Sequence, residues 1–157
     1  MKPAICCVLL LAAGLCAQST AKLDSDLTAL GNPGASRNAV AQQITDDILA
    51  LAEKDALPSR QTVLDFAVEL TKALAGKALT VEKTKAVTSA IQEVLLSSGA
   101  ASFRFHASID HLRDALIALN ATAAQAKVAA GRLLILGQEV RGPEDIPAKE
   151  FLLLRLK

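Results

Sequence analysis

"SRQTVLDFAVELTKALAG", Ser59 to Gly76, has the clearest helical pattern in this sequence. Its apolar side chains recur every three or four residues, which places them on one face of an α-helix. Charged side chains fall outside that face. Ser59 suits the start of a helix and Gly76 suits its end. The segment therefore predicts an amphipathic helix, whose buried face comprises Val63, Phe66, Ala67, Leu70, Ala73 and Leu74.

Four other segments have the same spacing and predict further helices. The first begins behind Ser36, and the others begin near Thr80, Ser102 and Thr122. Short runs of turn residues separate them, which favours antiparallel packing of consecutive helices. We therefore predict an all-α fold for residues 35–142, an up-and-down bundle of four to five helices.

The stretch before this bundle, residues 18–34, is mostly polar. It ends in "GNPG", Gly31 to Gly34, a combination that is typical of turns. We expect the stretch to form a flexible tether. It would contain at most one loose helical turn, around Leu23, Leu27 and Leu30.

Residues 1–17, "MKPAICCVLLLAAGLCA", have the layout of a secretory signal peptide. Lys2 supplies the positive start, Ile5 to Ala13 form an apolar core, and small residues follow. A membrane span needs about 20 apolar residues, and the polar residues from Gln18 onward end this run too early. The leader predicts export, so we expect the protein to be periplasmic or secreted.

Two modes of processing compete at the end of the leader. Cleavage between Ala17 and Gln18 would remove all three cysteines of the chain. Lipidation of Cys16 would instead anchor the protein to a membrane. Because the residue before a lipidated cysteine has to be small, Leu15 favours cleavage after Ala17. The mature chain would then have no disulfide and would depend on core burial for its stability.

The charge balance and the aromatic content argue against a nucleic-acid partner. The chain has 17 Lys and Arg residues against 16 Asp and Glu, and removal of Lys2 with the leader leaves a formal charge of zero. A neutral chain offers no long-range field for nucleic acid. The aromatic residues are four Phe with no Trp or Tyr, which leaves little for stacking on bases. We predict no nucleic-acid partner, and membrane contact only if Cys16 is lipidated.

One group of side chains resembles a metal site in composition: His106, Asp110, His111 and Asp114. On a helix, each histidine has a carboxylate three or four residues away on its own side. The two histidines, however, are five residues apart and point about 140 degrees away from each other. The alternative is a solvated helix face, and no cofactor is expected.

Catalytic motifs are missing from the sequence. It contains no Gly-x-Ser-x-Gly elbow and no glycine-rich phosphate loop, and the mature chain has no cysteine nucleophile. Adjacent carboxylates such as Asp46 and Asp47 diverge by about 100 degrees on a helix, which does not suit a paired acid and base. We therefore predict a protein that is not an enzyme.

Two apolar segments near the C-terminus need a partner surface. Leu133 to Leu136, in the last predicted helix, are apolar on all sides, as expected in the centre of a bundle or against a partner. The tail, residues 143–157, either packs on the bundle or docks to a partner. Its apolar side chains are Phe151, Leu152, Leu153, Leu154 and Leu156.

The sequence favours an exported, non-enzymatic helical protein with an interaction or structural role. Its partner would be another protein or a second copy of the chain. The alternative is a small carrier that holds an apolar ligand or a metal ion between helices.

Overall fold

The computed structural model describes residues 20–32, 34–52 and 58–141. Six helices and no strand occur in these ranges, which confirms the prediction of an all-α fold. Helix α1 occupies residues 20–29. The others are α2 (Arg37–Leu51), α3 (Arg60–Leu74), α4 (Val81–Ser97), α5 (Ser102–Ala118) and α6 (Ala123–Arg141). Within the described chain, no helix has both the length and the apolar character to cross a membrane.

Helix α1 corrects the prediction of four to five helices and the prediction of a tether over residues 18–34. Leu23, Leu27 and Leu30 are buried in the core of the bundle. They follow one another at intervals of four and three, which forms an apolar stripe on this helix. The stripe was mistaken for a loose turn because polar residues surround it. Two of those polar residues, Lys22 and Asp24, bind α2 and α4 respectively, so the helix is an integral part of the bundle.

Three helices begin at the capping residues that the sequence indicated. The Oγ of Ser59 accepts a hydrogen bond from the backbone N–H of Thr62 at 3.2 Å. Thr80 caps α4 in the same way. At α6 the cap is reciprocal, because Thr122 accepts from the N–H of Gln125 while the Gln125 side chain accepts from the N–H of Thr122. These bonds satisfy backbone donors that the first turn of a helix leaves without an intrahelical partner.

Two helix ends are also where the sequence placed them. The residues that reverse the chain after α3 and α5 have positive φ, 73° at Gly76 and 66° at Asn120. Glycine adopts this left-handed conformation without steric cost, and asparagine tolerates it. Both residues therefore stop one helix and redirect the chain toward the next.

The helices α2 to α6 form an incomplete ring. Helix α3 packs between α2 and α6, and α5 packs between α6 and α4, whereas α2 and α4 barely touch. Helix α1 contacts both sides of this gap, because its Asp24 binds Thr88 of α4 and its Lys22 pairs with Asp47 of α2. The first helix therefore closes the bundle.

The core runs through all six helices, and its largest fully buried side chains are Phe66, Leu23, Leu27, Ile44, Ile48, Leu70, Leu74, Ile91, Leu112, Leu116, Leu133 and Leu136. In α6, Leu133 and Leu136 are buried, but Ile135 and Val128 remain exposed. Helix α6 is therefore not enclosed on every side. It lies at the edge of the bundle with one open face.

The connection from α4 to α5 and the last turns of α6 lie at one end of the bundle, the α4–α5 end. The hydroxyls of Ser97 and Ser108 lie 2.7 Å apart across α4 and α5. Gly137 of α6 packs against the ring of Phe105, since a Cβ at Gly137 would lie 2.2 Å from that ring. Helix α6 ends with Arg141 at this end.

Candidate functional site

The four side chains proposed as metal ligands lie on α5. Three of them contact charged side chains of the protein itself. His111 lies with its Nδ1 2.7 Å from Oε2 of Glu93 on α4. Asp110 and Asp114 pair with the guanidinium of Arg113 at 3.0 and 3.3 Å. These contacts make a charged outer surface on α4 and α5.

The fourth member of the set, His106, is bound to its own helix. Its Nδ1 lies 2.9 Å from the carbonyl oxygen of Ser102, one turn earlier. In the part of the chain that the structure describes, no three His, Cys, Asp or Glu side chains are grouped so that they could hold a metal ion. The arrangement therefore gives the metal hypothesis no support and matches the alternative of a polar helix face.

A second polar cluster joins α1 to α2, and the sequence did not indicate it. The ammonium of Lys22 pairs with Asp47 and, at 3.2 Å, with Asp26. Asp47 is only 4% exposed, and its Oδ2 is buried with no hydrogen-bond partner among the described residues. The adjacent Asp46 lies on the outside and pairs with Arg60 of α3. The two neighbouring carboxylates thus have opposite environments, as their angular separation on a helix requires.

Burial of Asp47 changes the proton affinity of this cluster. The pKa of Asp47 is raised from 3.8 to about 6, chiefly by loss of hydration and also by the neighbouring Asp26 carboxylate, while Lys22 opposes both effects. The ion pair with Asp47 in turn raises the pKa of Lys22. The buried carboxylate of Asp47, between two helices, can therefore take up and release a proton.

We expect Asp47→Asn to raise the free energy of unfolding at pH 7.5 by about 1–2 kcal/mol, because ionised Asp47 is poorly solvated. Because the pKa of Asp47 is higher in the folded chain than its ordinary value, the contribution of Asp47 to stability is fully present below about pH 4. This contribution is lost as the pH rises through 6. The benefit of the substitution should therefore disappear near pH 4. Urea unfolding at the two pH values measures both differences.

Asp46→Asn is the matched control for this prediction. Asp46 is adjacent in sequence but 59% exposed in its ion pair with Arg60, so its substitution should change stability by less than about 0.5 kcal/mol at either pH. If Asp47→Asn instead lowers stability at pH 7.5, the ion pair with Lys22 outweighs the cost of burial and the account of this cluster is wrong.

The buried carboxylate of Asp24 has a structural role. The hydroxyl of Thr88 donates a hydrogen bond to it, while Thr84 and Thr28 donate to the backbone carbonyl of the same residue. Asp24 therefore ties α1 to α4. Because Lys22 ties α1 to α2, the polar residues of this helix bind both of its neighbours.

The α4–α5 end carries the most exposed large apolar side chains of the described chain. Phe103 is 74% exposed and Leu96 is 73% exposed, whereas the other exposed large apolar side chains lie between 40% and 47%. Phe103 projects from the face of α5 opposite Leu112, which is fully buried. Its exposure is therefore set by the helix and does not result from a loosely packed core.

The other predicted functional positions lie outside the described residues. They are the leader with its cleavage site at Ala17 and Gln18, the alternative lipidation site at Cys16, and the tail with Phe151, Leu152, Leu153, Leu154 and Leu156. Export, processing and the role of the tail stay predictions.

The sequence contains a signal for the polar cluster of α1 but none for the exposed apolar side chains. The four-residue spacing of Lys22 and Asp26 beside an apolar stripe is typical of a helix with a charged edge. The exposure of Leu96 and Phe103 has no such signal, because helical periodicity alone does not show where neighbouring helices end.

Comparisons of this chain with protein-family models, curated proteins and solved structures found no match.

Proposed function

We propose that the protein is an exported, non-enzymatic helical module that binds another protein through its α4–α5 end. The observation that carries this proposal is the exposure of Leu96 and Phe103 at that end. Full burial of a leucine or phenylalanine side chain contributes about 1.5–3 kcal/mol. Two such side chains can provide the apolar centre of an interface, which a few residues usually dominate.

The placement of the ionisable groups supports binding over catalysis. The buried carboxylates of the described chain are Asp24 and Asp47, and both are engaged in holding α1 against its neighbours. His111 has a carboxylate partner on the surface. These groups stabilise the bundle and its outer face, which leaves the apolar end as the feature that needs a partner.

The alternative of a carrier for an apolar ligand requires space between the helices. The contact of Gly137 with the Phe105 ring fills the interior at the α4–α5 end, because even one added methyl group would overlap the ring. This close packing favours a protein partner on the surface over a ligand inside.

The test of binding is co-purification from the source cells with two pairs of substitutions. We expect Leu96→Ser with Phe103→Ser to lower the amount of bound partner at least ten-fold relative to the unsubstituted protein. Val81→Ser with Ile117→Ser is the control, because both side chains are exposed at the opposite end of the bundle. Retention of the partner by the first pair, or its equal loss from both pairs, would contradict the proposal.

The test of export is the intact mass of the same purified protein. Cleavage after the leader gives a chain that begins at Gln18, and lipidation gives a chain that begins at a modified Cys16. Recovery of only the full 16.4 kDa chain would contradict export.

A further inference from the structure

The C-terminal tail begins next to the surface proposed for partner binding. Helix α6 runs antiparallel to α5, since Gln125 near its start contacts Lys72 at the end of α3 and Gly137 near its end contacts Phe105 near the start of α5. Residues 142–157 therefore leave α6 at the α4–α5 end. Leu96 and Phe103 are exposed at this same end, and Ile135 of α6 is exposed close to where the chain departs.

The tail has the length and the composition to cover this surface. Gly142 to Pro147 can span about 20 Å when extended, which exceeds the diameter of a helix. The segment that follows, residues 148–157, is "AKEFLLLRLK" and carries five large apolar side chains. Because it is tethered, its local concentration at the α4–α5 end is in the millimolar range, well above that of an unlinked partner or a second copy at micromolar concentration.

The charges of the tail do not decide where it packs. Residues 148–157 contain Lys149, Arg155 and Lys157 against one acidic residue. The outer faces of α4 and α5 carry the exposed carboxylates of Glu93 and Asp114. The stripe of α5 that begins at Phe103 passes through Asp114. Asp114, however, lies about 17 Å from Phe103 along α5, and the exposed Arg104 adjoins Phe103. The apolar side chains and the tether therefore favour the contact, and charge does not.

We propose that residues 148–157 pack against Leu96 and Phe103 in the free protein and cover the surface at the α4–α5 end. This inference rests on the proposed function in one respect only: a protein partner that binds this end has to displace the tail. The contact itself requires no partner and can be measured on the isolated chain.

Disulfide formation between introduced cysteines tests the contact without removing the apolar side chains that make it. In the full chain with Cys6, Cys7 and Cys16 replaced by serine, Arg155→Cys is combined with Ala107→Cys or with Ala118→Cys. Both alanines are exposed on the same face of α5. Position 107 lies one turn from Phe103, and position 118 lies about 17 Å farther along the helix.

In a glutathione redox buffer, we expect the effective concentration of the pair 107 and 155 to exceed that of the pair 118 and 155 at least ten-fold. Adding Phe103→Ser should lower the first value at least five-fold and leave the second unchanged. Circular dichroism checks that each variant keeps its helices.

Equal effective concentrations for the two pairs would overturn the inference. So would a preference for position 107 that Phe103→Ser leaves unchanged, because a tail that is only tethered at this end favours the nearer position without any contribution from Phe103. Disulfides that form mainly between chains and increase with protein concentration would also overturn it, in favour of self-association. None of these results depends on a partner, so the proposed function and this inference can fail separately.

Discussion

Replacing Leu27 with alanine should lower the free energy of unfolding by about 2–5 kcal/mol. Leu27 is fully buried, although it belongs to the stretch that resembles a polar tether in the sequence. Helix α1 fills the gap between α2 and α4, so removal of three buried carbon atoms from its centre would leave a cavity where three helices meet. Chemical denaturation followed by circular dichroism measures the loss.

Leu96→Ala is the matched control, because the same substitution is made at a leucine that is 73% exposed. Its effect should stay within about 0.5 kcal/mol. Equal effects of the two substitutions would mean that α1 does not unfold together with the rest of the bundle, and the six-helix core would be wrong.

Two glycines of α6 should respond in opposite directions to replacement by alanine. A Cβ at Gly137 would lie 2.2 Å from the Phe105 ring, whereas a Cβ at Gly131 would have nothing within 4 Å. Gly131→Ala should therefore stabilise the protein by about 0.5–1 kcal/mol, the usual gain inside a helix. Gly137→Ala should destabilise it by about 1–3 kcal/mol, because Phe105 is buried and cannot move aside freely.

A compensating substitution identifies the cause of that loss. Phe105→Leu provides space beside position 137, so Gly137→Ala should cost less in the Phe105→Leu background than in the unsubstituted protein. Thermal or chemical unfolding of the four proteins measures the coupling. If both alanine substitutions stabilise the unsubstituted protein, the close contact between α5 and α6 is incorrect.

Most of the bundle could be predicted from the sequence because local rules and tertiary packing agree there. The apolar periodicity of α3 and its Ser59 cap are confirmed, and so are the chain reversals at Gly76 and Asn120. Helix α1 was missed because its Asp24 and Lys22 resemble solvated residues until their partners on α4 and α2 are known. Such pairings between distant segments have no local sequence signal.

The candidate sites depend even more on contacts between distant segments, which the sequence does not show. The grouping of His111 with Asp110 and Asp114 was visible as helical spacing, but spacing does not show that Glu93 from α4 and Arg113 from α5 bind these side chains. The burial of Asp47 and the exposure of Phe103 likewise depend on how the helices pack around them. The sequence supplied the chemical groups, and the packing determined their roles.

Photo-crosslinking in the source cells tests the claim that the α4–α5 end binds a protein partner. A benzophenone-bearing phenylalanine analogue at position 103 keeps an aromatic ring at this end, and the same analogue at position 117 places it four turns away on the same face of α5. We predict that irradiation joins one recurring protein to position 103 and not to position 117. Joining of the same protein at both positions, at position 117 alone, or at neither would contradict the claim.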